Sequence, residues 1–306
     1  MGDKPTVLIT GSNGFLGGRI IKYLLSTKRV VFRIYPHDVT DAWAAEQYNM
    51  AGVDSVIHLA SIYDSNPIDA KHSVEVNTIG TVNILNAAIR SGVKRFIYFS
   101  SVHVYGSPLR GTISEKTLPR PVSPYAISHK SAEDFVLAAH DQNKITGIVL
   151  RLSNSFGCPA HKSDNAWLPI VNNMCKQASE KGQIHLQPTA VQERDFIAVT
   201  DVCRAVEHML FLPAERCLDG LFNLGGNWNM QIASIAAIVA IRCVVHGIKC
   251  DVVTEEAYPQ AYCEYRFRYN SEKLGYTGFE LTRNVVDEID EIVKFCMEKR
   301  GVLTKQ

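Results

Sequence analysis

No cysteine occurs before Cys158, and the eight in the chain, from there to Cys296, include no C-x-x-C pair. Metal sites and redox pairs need closer or paired thiols, so this spacing predicts buried, reduced thiols with no disulfide and no metal. Also missing is any apolar run near the ~18 to 20 residues of a membrane span, which argues against a membrane partner and predicts a cytoplasmic protein. There is no basic block either: 32 Lys and Arg against 31 Asp and Glu, spread along the chain, give a formal net charge of +1. A chain without a basic stripe has little to offer a phosphate backbone, which argues against nucleic acid as a partner. Internal repeats, low-complexity tracts and clean linkers are absent as well.

What is present is 306 residues with 46% hydrophobic and 21% charged content, enough for a large core. The run Thr6-Val7-Leu8-Ile9-Thr10 meets Gly11-Ser12-Asn13-Gly14-Phe15-Leu16-Gly17, after which Ile20, Ile21, Leu24 and Leu25 recur at helical spacing. Further strands are predicted at Val30 to Ile34, Ser55 to Ala60, Phe96 to Ser100 and Gly147 to Arg151, with helices between most of them. Such alternation predicts an α/β, Rossmann-type doubly wound parallel sheet. From about Asn154 the alternation loosens around Pro159, Pro169, Pro188 and Pro213, predicting a smaller mixed α/β C-terminal lobe that binds substrate. The expected division is a dinucleotide-binding domain of residues 1–153 with parts of about 195–225, and a substrate lobe of about 154–194 and 226–306.

Glycines at 11, 14 and 17, set between a strand and an amphipathic helix, allow a tight turn, let backbone amides approach a pyrophosphate and let the helix pack on the strand. This context predicts a dinucleotide, NAD(P). An acidic residue gripping the ribose 2'-hydroxyl would mark NAD, but the strand ending at Ile34-Tyr35 lacks one. Asp38, about 20 residues past Gly17, can take that role, or with Val39 it forms the adenine-contacting end of the next strand. Arg29 or Arg33 can instead meet a 2'-phosphate, which tips the expectation slightly to NADP; the alternative for both is a solvated charge on an edge strand.

The glycine loop, Asp38-Val39-Thr40-Asp41, His58-Leu59-Ala60, Asn77 with Gly80-Thr81, Ser100-Ser101 with Val104-Tyr105-Gly106, and Pro124-Tyr125 together resemble the extended short-chain dehydrogenase/reductases, in their nucleotide-sugar epimerase/dehydratase branch. Arg151-Leu152-Ser153-Asn154, Arg194-Asp195-Phe196 and Phe222-Asn223-Leu224-Gly225 continue the match in order. The resemblance implies a dinucleotide held by the glycine loop with Leu59, Ala60, Ser61, Asn77, Tyr125 and His129. It implies catalysis by Tyr125 as general acid/base, with Ser101 bonded to the same sugar oxygen. It further implies a nucleotide-sugar substrate whose diphosphate or nucleotide meets Asn154 and Arg194, where an arginine fork suits paired phosphate oxygens.

The chain departs from that pattern four residues past Tyr125, where His129 stands in place of lysine. Glu133 keeps its family spacing, so this is a substitution and not an insertion. Lys130 cannot step in, because one residue turns its side chain by ~100° about the helix. A tyrosine of reference pKa ~10 needs a nearby cation to ionise at neutral pH, and histidine at ~6.5 is only partly charged there. His103, two residues past Ser101, stands where related dehydratases carry glutamate and is chemically suited to proton transfer beside the reacting carbon; the alternative is a loop histidine bonded to backbone. One face of each helix covering Asn77 to Arg90 and Ser128 to His140 must cover the sheet, and the resemblance implies that the other forms a homodimer seam; the alternative is a monomer.

The expected function is therefore an NAD(P)-dependent oxidoreductase or epimerase of nucleotide sugars. Two readings compete with it. The short connection from the glycine loop to Asp41 resembles NADP-dependent keto-sugar reductases of the GDP-fucose synthase type. The loss of lysine suggests instead a dinucleotide-binding regulatory protein whose catalysis has lapsed.

Overall fold

A computed structural model describes residues 4–63, 70–160, 167–254, 266–282 and 285–299. The first half runs β1 (Thr6–Thr10), α1 (Phe15–Thr27), β2 (Val31–Ile34), α2 (Ala42–Gln47), β3 (Ser55–His58), α3 (Ala70–Ser73), a π-helical turn (Val74–Ile79), α4 (Gly80–Arg90), β4 (Arg95–Ser101) and a 3-10 turn (Val102–Tyr105). It continues with β5 (Gly111–Ile113), α5 (Pro124–Asp141), β6 (Thr146–Leu152) and β7 (Asn154–Phe156). The second half runs α6 (Ile170–Lys181), β8 (Gln183–Leu186), β9 (Glu193–Ala198), α7 (Val199–Phe211), β10 (Leu221–Leu224) and β11 (Asn229–Gln231). It closes with α8 (Ile232–Val245), β12 (Asp251–Thr254), β13 (Phe267–Tyr269), α9 (Glu272–Gly275) and α10 (Val285–Lys299).

Six parallel strands in the order β10-β6-β4-β3-β1-β2 form the central sheet of a Rossmann-type fold. Because strand side chains alternate between faces, each apolar strand feeds two cores. Val7, Ile9, Ile97, Phe99, Ile148 and Leu150 pack with Ile20 and Leu24 of α1 and Val202, Val206 and Met209 of α7. Leu8, Val56, Phe96, Tyr98 and Val149 face the other way, against Ile84 and Leu85 of α4 and Ala132 and Val136 of α5. Within the predicted α1 stripe Leu25 is instead largely exposed, as the helix buries only the face carrying Ile20 and Leu24. The chain steps from β1 out to β2 and then back to β3, so the strand order reverses at the glycine loop, where α/β sheets open a crevice for ligands.

A second layer gathers β7, β9 and β11 into one small sheet and β8 with β12 into another, over a core from α6, α8 and α10 that includes Val171, Met174, Ile235, Val239, Ile289 and Ile292. Seven cysteines among the described residues are free thiols; Cys263 lies outside those residues. Among the described residues no helix is long and apolar enough to cross a membrane.

One buried ion pair ties these parts together. Glu133 on α5 accepts two hydrogen bonds from Arg151 on β6, at 2.9 Å from Nε and 2.7 Å from Nη2. Both side chains are almost wholly excluded from water. The Arg151 guanidinium lies 4.6 Å from the Tyr105 ring centroid, and its backbone carbonyl accepts from the Tyr269 hydroxyl. Removing one partner of such a pair strands a charge in a site where it cannot be solvated. Glu133→Gln is accordingly expected to lower the unfolding free energy by about 3–5 kcal/mol in denaturant titrations, and Glu133→Gln with Arg151→Met to lose much less than the two single losses added. A single-variant loss under ~1 kcal/mol would contradict this role.

Candidate active site

The glycine loop is shaped by close backbone contacts. Gly11 adopts φ +68°, and a Cβ there would lie 2.6 Å from the Ala60 nitrogen; at Gly17 it would lie 2.2 Å from the Gly11 carbonyl oxygen. Side chains are thus excluded where α1 presses on the turn. Gly14 precedes α1 and brings no capping side chain, so the first amides of the helix remain available to an anion. At the loop tip Ser12 donates weakly to Asn13, at 3.5 Å. This cradle fits a dinucleotide pyrophosphate.

Beyond the loop lies a cavity of about 550 Å³ bounded by Phe15, Leu16, Leu59, Ser61, Ser101, His103, Tyr125, His129, Asn154 and Arg194, together with the three glycines. Other sequence-predicted residues have structural partners. The Leu59 and Ala60 amides donate to the Thr10 hydroxyl. Asn77, in the π-helical turn, accepts from the Ile62 amide and donates to the Ile62 carbonyl and the Ser128 hydroxyl, clamping the segment after β3 to α5. Val39 packs where a Cβ at Gly80 would lie, and its carbonyl accepts from Asn83. The Asp38 carboxylate accepts from the Thr40 amide and hydroxyl, both at 2.9 Å, and these bonds hold its pKa below the ordinary value. Arg33 donates to the Asn49 and Ala51 carbonyls, while Arg29 pairs with Glu207 and stacks on Phe211.

The start of α5 sets the reactive side chains. Ser123 caps it by accepting from the Ala126 amide, and Pro124 fits the first turn, where its missing N–H leaves no donor unpaired. Tyr125 and His129 follow one turn apart on the same face, with ring centroids at 4.5 Å. Lys130 is turned to the next face, where its ammonium pairs with Asp134. Ser101 ends β4 and accepts from the His103 amide at 3.3 Å. Burial raises the Tyr125 pKa, opposed by a hydrogen bond with the Ser101 hydroxyl.

Burial takes the His129 imidazole down to about 3, with the His103 ring adding to the effect, and takes His103 down to about 4, with help from the Arg194 charge. Both rings are neutral near pH 7. His129 Nδ1 lies 2.6 Å from the Tyr98 hydroxyl, while its Nε2 has no hydrogen-bond partner among the described residues. Tyr98 and Tyr63, whose ring stands edge-on to Tyr125 at 5.0 Å, are site residues that sequence reasoning missed. Nothing in the sequence around Tyr63 marks it. Tyr98 reads there as one more apolar position of β4.

At the other end Asn154 donates to the Asp195 carbonyl at 2.9 Å, and Arg194 reaches Gln192 at 3.4 Å. Burial lowers the Arg194 pKa. Asp195, raised to about 6 by burial, accepts from the Gly226 and Trp228 amides and so holds its loop in place. A small recess beside His103, Asn154 and Arg194 is closed by Pro108 and Phe267.

The profile of the NAD dependent epimerase/dehydratase family matches residues 7–225. Among curated relatives, dTDP-D-glucose 4,6-dehydratase of Mus musculus is 27% identical over 258 residues, covering 75% of this chain and 70% of the relative. UDP-glucuronic acid decarboxylase 1 of Xenopus tropicalis is 30% identical over 269 residues, covering 78% of this chain and 60% of the relative. The fold also matches solved structures. RMD from Pseudomonas aeruginosa, complexed with NADPH, gives a TM-score of 0.80 at 21% identity, covering 98% of this chain and 100% of that one. The Thermus thermophilus UDP-glucose 4-epimerase complex with NAD gives 0.79 at 22% identity, covering 97% and 100%. The chain therefore belongs to the NAD-dependent epimerase/dehydratase family, the nucleotide-sugar branch of the extended short-chain dehydrogenase/reductases.

Proposed function

We propose that the protein is an NAD(P)-dependent oxidoreductase or epimerase that transfers hydride at a carbon of a nucleotide-activated sugar. The observation that carries this reading is one cavity bordered by the glycine loop, by Tyr125 with Ser101 and His129, and by Asn154 with Arg194. When bound, the nicotinamide ring supplies or accepts the hydride. The pyrophosphate would lie on Gly11 to Gly17, and the adenosine end near Asp38 and Val39. Leu59, Ala60 and Ser61 would border the dinucleotide, with Asn77 steadying their segment. The sugar nucleotide would lie along the lobe of about 154–194 and 226–306, opposite residues 1–153 and parts of 195–225. Asn154 and Arg194 would bind its diphosphate. Ser101 and Tyr125 would hold the reacting sugar oxygen, with Tyr125 moving the proton.

Because burial raises its pKa and the neighbouring imidazole is neutral, Tyr125 rests as a protonated phenol. That state is poised to donate to a carbonyl oxygen as hydride arrives, which favours reduction of a keto-sugar as the second reading. β2 ends without a carboxylate to repel a 2'-phosphate, which supports NADP; with Arg29 and Arg33 engaged elsewhere, the preference is small. His103, neutral and beside the reacting carbon, would carry an additional proton in an epimerisation.

An ammonium placed one turn from Tyr125 would lower its pKa, and each unit is worth about tenfold in tyrosinate. His129→Lys is therefore expected to raise kcat/KM for oxidation at neutral pH by about tenfold or more, read over a panel of UDP-, dTDP- and GDP-sugars with NAD and NADP. No turnover by either protein, with dinucleotide still bound, would instead mean a regulatory protein. His103→Ala should lose solvent-deuterium incorporation into product while retaining hydride transfer; unchanged incorporation would remove His103 from the mechanism. We also propose a homodimer through α5 and the π-helical turn that leads into α4, where Ile127 and Phe135 of α5 and Ile79 of the turn are exposed. Phe135→Glu should then halve the mass seen by light scattering, and an unchanged mass would exclude that seam.

A further inference from the structure

Tyr98 lies in the middle of β4 on the face that packs under α5, and it is 1% exposed. A tyrosine buried so deeply needs a partner for its hydroxyl. The structure gives it two, Nδ1 of His129 at 2.6 Å and the Thr81 hydroxyl. A neighbouring network shows how the protons are distributed. Thr81 donates to the Asn77 carbonyl, which can only accept, so at its contact with His58 Nε2 the threonine oxygen is the acceptor. His58 then carries its proton on Nε2 and accepts at Nδ1 from the Thr10 hydroxyl. Thr81, which also hydrogen-bonds Tyr98, is already satisfied by Asn77 and His58, so no group in that network needs a proton from Tyr98, which leaves that proton for His129.

The ring nitrogen of His129 opposite Tyr98 is buried and unpartnered among the described residues, and His129 borders the cavity of the glycine loop. A buried polar atom without a partner calls for an explanation, and one on a cavity wall is explained by a ligand. We propose that Tyr98 is a positioning residue: it donates to His129 Nδ1 and so fixes the Nε2–H tautomer, which offers a neutral N–H to a hydroxyl of the bound dinucleotide or sugar.

This explains how histidine can stand where the resembling enzymes have lysine. A lysine ammonium brings both a charge and a hydrogen-bond donor. Tyr98 preserves the donor and suppresses the charge, since a bond donated to the neutral ring disfavours its protonation. The ionisable groups around the ring act in the same direction or are neutral. They are Tyr98 from β4, Tyr125 from its own helix, His103 from the 3-10 turn and His58 from β3, and the two histidines disfavour a further positive charge; the one carboxylate nearby, Glu133 a turn along α5, is neutralised by its ion pair with Arg151 from β6. The role of the donor rests on the proposed function, while its tautomer does not.

Imidazole 15N shifts of His129 in the full-length protein, assigned by comparison with His129→Asn, report which nitrogen holds the proton. The expected result is a proton on Nε2 from pH 6 to 8. In Tyr98→Phe the tautomers should mix, the acid transition of His129 should move to higher pH, and the Kd for NADH or NADPH should rise about 3- to 10-fold, one neutral hydrogen bond's worth. A proton on Nδ1 in the wild type, which needs no variant to observe, would overturn the assignment, as would an unchanged tautomer in Tyr98→Phe. An Nε2 proton in a wild-type protein that binds neither dinucleotide would uphold the role of Tyr98 in setting the tautomer and overturn the proposed function.

Discussion

Glu133 and Arg151 face each other with almost no contact with water, and the geometry of the site follows from their pairing. Glu133 stands one helical turn beyond His129 and two beyond Tyr125, so anchoring it on β6 fixes both the rotation and the height of α5 over the sheet. Arg151 in turn lies three residues before Asn154 at the start of β7, which sets the far end of the cavity. The bidentate bonds tolerate little rotation, and the Tyr105 ring and Tyr269 hydroxyl hold the arginine from the other side. Such a pair is a costly way to gain stability and a good way to select one register.

Within that frame the electrostatics are unusual for the proton transfer proposed for this site. Tyr125, His129 and His103 are crowded together, and burial pushes each toward its neutral form. Arg194 contributes positive charge, but it lies toward the Asn154 end of the cavity and acts on His103 more than on Tyr125. The arrangement suits proton donation from a phenol better than proton abstraction by a phenolate. Directional hydrogen bonds from Ser101 and the proposed Nε2–H of His129 take the place of a fixed cation.

Much of this was legible in the sequence. The glycine spacing between an apolar strand and a helical stripe marks the loop, and the unbroken apolar runs mark a parallel sheet covered on both faces. The spacing of Tyr125, His129 and Glu133 places them on one helix face, as found in α5. Less legible were roles that depend on contacts distant in sequence. Asn77 matches the resembling enzymes, but its clamp on Ile62 and Ser128 requires the π-helical turn that aims it. Arg33 has the right charge for a 2'-phosphate, yet backbone carbonyls after α2 engage it. Tyr98 gave no signal, because strand alternation assigns it to a core face and cannot show that the residue above it is a histidine.

The central claim is that proton transfer here runs from a neutral, buried phenol beside a neutral imidazole. It is tested most directly by single-turnover hydride transfer in the wild-type protein, followed in both directions across pH with the nucleotide sugar it accepts. The account predicts reduction that is level through neutral pH, and oxidation that keeps climbing as pH approaches the ordinary tyrosine value of 10.0 and beyond. Oxidation that reaches its plateau at or below neutral pH would mean a tyrosine already ionised there, and would contradict it.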